Sequence, residues 1–261
     1  MIPAEASSGW SELLQQPAGG DHFVQVYRDR RFLVEVVTEY VRTGLRAGEA
    51  VILIALPAHR TAFLHELEAS GVDVAGAKAA GQLALLDAEE TRQRFTAGGM
   101  PDWQAFHAEI GGVIARLRLD YPTVRAYGEM VDVLWQRGER DAAIRLEEFW
   151  NDLAKLQTFS LLCAYEMDPL DPAAYHPLEC VCKVHTHLIP AADYRRFNEA
   201  VAEASSQVLE WPLSNLLLAL AERHKPPTSM PTGQSTLLWL QRNMPRTAEK
   251  VLAEVRQRCA D

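Results

Sequence analysis

A chain of 261 residues, 48% apolar and 23% charged, has the composition of a globular protein with a sizeable buried core. A net charge of −9 with dispersed basic residues excludes a nucleic-acid surface, which needs clustered Lys and Arg. No run nears the roughly 20 apolar residues of a membrane helix, and the N-terminus lacks a basic start followed by an apolar stretch.

Four cysteines (Cys163, Cys180, Cys182 and Cys259) are too few and too irregular for a disulfide framework, which points to a cytoplasmic protein. Residues 1–20 read as a loose leader ending in PAGG. HFVQVY at 22–27 alternates and carries Val, Phe and Tyr, which predicts a first strand. A helix follows over 29–46, its apolar residues at 33, 36, 37, 40, 41 and 45 keeping close to a 3.6 period. AVILIAL at 50–56 is a continuous apolar run, the mark of a strand covered on both faces. Pro57 suits the first turn of the next helix, which stops at Gly71. Residues 82–86 predict a third strand, Asp87 caps a short helix, and Pro101 and Asp102 open another that runs to 119. The stretch 124–165 reads as a strand, a short helix ending at Gly138, an amphipathic helix over 139–157 and a buried strand over 159–165. This alternation predicts an α/β fold: a mostly parallel sheet with helices on both faces.

After Met167 the character changes. DPLDPAAYHP is a Pro- and Asp-rich turn, and the pattern beyond it predicts helices over 178–189, 191–209, 212–224 and 234–259. KPPTSMPTG at 225–233 separates the last two as a linker. The expected division is a leader over 1–20, an α/β domain over 21–170 and a helical segment over 171–261. Leu213, Leu216, Leu217 and Leu220, then Leu237, Leu238 and Leu240, form apolar stripes. Such stripes serve either a packed helical subdomain or a docking surface for a second copy or a signalling partner.

Seven blocks in this order resemble one family: HFVQVYRDRRFL, GLRAGEAVILIA, GVDV…GQLALLDA, F…GGMPDWQAF, RAYGEMVDVLW, AAIRLEEFWN and FSLLCAY. Together they are similar to the MEDS domain, a sensory domain of methanogens and methylotrophs first described in a dichloromethane-responsive regulator. The resemblance runs over residues 21–188. It implies a RecA/KaiC-like sheet used as a sensory module, with a small, hydrocarbon-like ligand. A RecA-type ATPase places GxxxxGK[ST] after its first strand, so that backbone N–H groups and a Lys hold phosphate. Here that position reads YRDRRFLVEV, with no glycine and no Lys-Ser/Thr pair, and no nucleotide cofactor is expected.

Candidate ligand-binding residues follow from the sheet's C-terminal edge, where open α/β sheets hold ligands. Glu129 ends the strand at 124–128, and Arg125 lies on the same side of that strand. The two form either an internal ion pair or part of a pocket. His22, Tyr27 and Arg28 flank the first strand, at the place a phosphate loop leaves vacant. Trp135, Trp150 and Tyr165 supply apolar area as core or as pocket lining, and Glu147 and Asn151 flank the helical stripe at i, i+4. Cys180, Cys182, His185 and His187 invite a zinc reading, but lack the Cys-x₂-Cys and His-x₃-His spacings, which favours a packed helix. GxSxG and HExxH are absent, and Cys163 sits in an apolar strand where a thiol is inert. The leading expectation is a sensory or regulatory protein without enzymatic activity. The alternatives are a divergent nucleotide-binding or hydrolysing enzyme using Glu129 and a ligand-free interaction scaffold.

Overall fold

The computed structural model describes residues 14–168, 175–189, 194–209, 213–223 and 232–260. The expected turn at 168–177 and the linker at 225–233 lie largely outside these, as do residues 1–13 of the leader. The chain divides into two compact units, Met1–Glu166 and Met167–Asp261.

The first unit is built on five parallel strands: β1 (His22–Tyr27), β2 (Ala50–Ala55), β3 (Leu83–Asp87), β4 (Val124–Gly128) and β5 (Ser160–Glu166). Their spatial order is β3-β2-β4-β5-β1. Every residue of β2 is fully buried, as its unbroken apolar run requires. Helix α1 (Arg30–Arg46) joins β1 to β2, capped by Asp29, whose side chain accepts from the Arg31 N–H. Helices α2 (Pro57–Ala69) and α3 (Val74–Ala79) join β2 to β3. Helix α4 (Ala88–Arg94), capped by Asp87, begins the return to β4. A two-residue-stranded hairpin (Thr96–Ala97 with Met100–Pro101) follows, then α5, which runs as Trp103–Phe106, a π-helical turn His107–Gly111, and Gly112–Asp120. Helices α6 (Met130–Gln136) and α7 (Arg140–Leu156) join β4 to β5.

Parallel crossovers are right-handed, so α1, α2 and α3, which lead toward β3, cover one face, while α4 to α7, which lead back toward β1, cover the other. Side chains confirm the two faces. Tyr127 packs edge-on against Phe63 of α2, and the neighbouring Gly128 backs onto Trp150 of α7.

The second unit holds α8 (Tyr175–Lys183), a short strand β6 (His187–Ile189), α9 (Tyr194–Val208), α10 (Leu213–Arg223), α11 (Thr232–Asn243) and α12 (Pro245–Ala260). Two sequence expectations are corrected. The predicted helix 178–189 ends at Lys183 and gives way to an extended segment. The predicted helix 234–259 is two helices, because Pro245 has no N–H to continue α11 and instead opens α12 at its first turn. Leu237, Leu238 and Leu240 are buried, whereas Leu216 is 57% exposed. Arg242 ion-pairs with Glu179, fastening α11 to α8.

Candidate functional site

Ten residues carried the sequence-based site, and the first unit sorts them into three groups. One group lies at the N-terminal end of β4. Arg125 is 1% exposed there and stacks over the Tyr40 ring with 5.2 Å between guanidinium and centroid. Its Nε donates to Glu49, and its terminal nitrogens donate to the Leu14, Gln15 and Tyr40 carbonyls and the Thr43 hydroxyl. The expected Arg125–Glu129 pairing is therefore replaced by an Arg125–Glu49 pair. The two side chains do point to one face of the sheet, but Glu129 lies four positions on, just past β4, and about 13 Å of extended chain with Tyr127 between puts it beyond side-chain reach of an ion pair. Arg125 thus ties the start of β4 to α1 and to the chain before β1.

A second group gathers at the C-terminal ends of β2, β4 and β1. Glu129 is 2% exposed and fully engaged. One carboxylate oxygen accepts from the Leu56 N–H at 2.7 Å, and the other from the Tyr127 hydroxyl and the His59 ring, each at 2.8 Å. The Glu129 hydrogen bond, opposed by burial, raises the His59 pKa above its usual value, and this histidine–carboxylate contact ties the start of α2 to the end of β4. This is the switch point of the sheet, since β2 leads outward to β3 and β4 leads the opposite way to β5. Beside it Asp132 on α6 is 8% exposed, accepting from Gln136 at 2.8 Å and from the Glu166 N–H at 3.2 Å. Burial, with the Glu129 and Glu166 carboxylates nearby, pushes the Asp132 pKa up to about 6. Burial, then the Asp132, Glu129 and Glu166 carboxylates, push the pKa of the Tyr27 hydroxyl well above its usual range. Arg28, just past β1, is exposed.

A third group is buried under α7 on the opposite face. His22 lies on β1, Cys163 and Tyr165 lie two residues apart on β5, and Glu147 and Asn151 lie one turn apart on α7. The His22 Nδ1 is 2.9 Å from Asn151 Oδ1, and its Nε2 is 3.2 Å from Glu147 Oε2 and 3.4 Å from Cys163 Sγ. The thiol lies 3.5 Å from the same Glu147 oxygen, and the Tyr165 hydroxyl donates to the other at 2.6 Å. Glu147, Cys163 and Tyr165 have no exposed surface. Burial first, then Glu147, raises the pKa of both the thiol and the phenol. Trp135 closes one side with its ring edge-on to Tyr165 at 5.5 Å. Trp150 stands apart from this group, in an aromatic cluster with Phe106 and Phe159. Cys180, Cys182, His185 and His187 belong to the second unit. The first two lie on α8, His185 follows the helix with its Nδ1 2.7 Å from the Val181 carbonyl, and His187 opens β6, so the four do not share one helix.

Of the residues in these two buried polar clusters, sequence reasoning named Glu129, Tyr27, His22, Glu147, Asn151 and Tyr165 but did not name His59, Asp132 or the engagement of Cys163. Asp132 carried a signal, an acid inside the apolar run MVDVLW, and His59 carried its position in the first turn after a buried strand. Nothing around Cys163 in the sequence distinguishes it from a core thiol.

The model of one family, described as MEDS (MEthanogen/methylotroph, DcmR Sensory domain), matches residues 21–186. The chain belongs to the MEDS family. No curated protein matches it. The matched residues take in all five parallel strands and both buried polar groups, so these groups lie within the MEDS sensory domain. Among the described residues no helix is long and apolar enough to cross a membrane.

Proposed function

We propose that this MEDS protein is a small-molecule sensor that binds its ligand at the C-terminal edge of the sheet, over Tyr27 and Asp132. The second unit acts as the output element and no bond is made or broken. The observation that carries this reading is Asp132. A carboxyl that is 8% exposed, with its pKa raised to about 6, lies beside the switch point of an open parallel sheet. A perturbed acid in such a position is a candidate for a binding site. Glu129 is saturated by three donors, which leaves Asp132 and Tyr27 as the groups for a ligand to meet. Three carboxylates near one phenol favour a ligand that donates hydrogen bonds or carries positive charge. A short alcohol or amine fits this edge better than a bare hydrocarbon. The glycine-free loop after β1 supports binding without nucleotide turnover. The five-stranded parallel sheet supports descent from a RecA/KaiC-like nucleotide-binding sheet that has lost its phosphate loop after β1.

Native mass spectrometry of the purified chain, followed by thermal-shift titration with short-chain alcohols and amines, tests this reading. A member of the series should raise Tm in the wild type and fail to do so in Tyr27→Phe and Asp132→Asn. A shift that survives in both variants places the ligand elsewhere.

A further inference from the structure

The third group has a geometry that a hydrogen-bonded core does not explain by itself. Asn151 faces its carbonyl oxygen to Nδ1 of His22, a contact that suits a ring with its proton on Nδ1; in that neutral form Nε2 turns a lone pair inward. That lone pair meets a carboxylate oxygen at 3.2 Å and a sulfur at 3.4 Å, and these two are 3.5 Å apart. Three groups that can each give an electron pair to a metal, the thiol once it has lost its proton, converge on one point with a negative charge among them. A tetrahedral ion with bonds of about 2.0–2.3 Å to N, O and S holds its donor atoms about 3.3–3.8 Å apart. The three separations sit at or just under that range.

We infer that His22, Glu147 and Cys163 form one face of a tetrahedral site for a divalent metal ion of the zinc class. The mixed nitrogen, sulfur and carboxylate set suits zinc or cobalt, and a sulfur donor argues against magnesium and calcium, which take oxygen ligands. The surrounding groups are those a metal centre requires. Asn151 holds the ring of His22 by the nitrogen that does not ligate, and the Tyr165 hydroxyl holds the carboxylate oxygen that does not ligate. The donors come from β1, β5 and α7, so regular elements fix them before any ion arrives. On binding, the Cys163 proton leaves to solvent and a thiolate–metal bond forms, with no change of oxidation state. This centre lies under α7, on the face of the sheet opposite the one carrying Tyr127 and Glu129, and does not depend on the ligand proposed for the sheet edge.

The full chain, unfolded with chelator and refolded with cobalt(II), should take up one equivalent. It should show a thiolate-to-cobalt charge-transfer band together with the intense visible bands of tetrahedral cobalt. Cys163→Ser should lose the charge-transfer band, and Asn151→Ala should keep it while binding about 10–100-fold more weakly. Tyr27→Phe should leave the spectrum unchanged, which separates this assignment from the sheet-edge reading. Uptake without a one-to-one endpoint, or a wild-type spectrum without the thiolate band, overturns the assignment. The wild-type spectrum decides even where a variant fails to fold.

Discussion

Asp132 is where burial and charge oppose each other most openly. Its pKa is about 3.8 in the unfolded chain and about 6 in the folded protein. The folded state therefore holds more protons between these values, and stability falls as pH rises through that window. Above pH 6 the whole penalty is present. Asp132→Asn keeps an acceptor for Gln136 and the Glu166 N–H but carries no charge, so it should stabilise the protein at pH 8 by about 1–3 kcal/mol. Thermal melts across pH should show that gain shrinking below pH 6 and disappearing near pH 4. A gain that is constant with pH would assign it to packing instead. The same change should remove ligand binding, so stability and function should move in opposite directions. At this scale the sequence was partly legible. It marked Glu129 as buried at a strand end, but the partner that satisfies it, His59, is 70 residues away and no local pattern announces the pairing.

Helix α1 shows how an element can be constrained by a residue outside it. Gly44 lies in its last turn, where helix propensity favours Ala over Gly by about 1 kcal/mol. A Cβ at that position, however, would sit 2.7 Å from Cδ and 2.8 Å from Nε of Arg125. That side chain cannot yield, because its five donors' worth of partners on Glu49, Thr43 and three backbone carbonyls would be left unsatisfied. Gly44→Ala should thus destabilise, against propensity, by about 1–3 kcal/mol in chemical denaturation. A stabilised variant would show that Arg125 is held more loosely than its contacts indicate. Elements were the most legible scale, since caps at Asp29, Asp87 and Asp102 and the apolar run of β2 set their own boundaries. Misreadings came where one stripe continued through a break. Periodicity over 234–259 hides the division at Pro245, and the π-helical turn in α5 leaves no compositional trace.

Strand–helix alternation predicted the parallel sheet, because it states what each strand connects to. It does not state which strand lies beside which, since side-chain patterning records burial and not neighbours. The order β3-β2-β4-β5-β1 puts the first and last strands of the unit side by side, running the same way. Chain enters at His22 and leaves past Glu166, at opposite ends of that pair. A pull on the two ends therefore drives β1 and β5 past each other lengthwise, loading the evenly spaced bonds of the ladder together rather than in turn. Held by Asp21 and Phe159, at the same end, the strands would instead peel apart bond by bond. Single-molecule stretching should give a clearly higher rupture force for handles at Asp21 and Glu166 than for handles at Asp21 and Phe159. Equal forces would mean that another part of the unit yields first. A sensory domain would then also be a mechanical clamp, stiff along the very line by which neighbouring chain can tug on it.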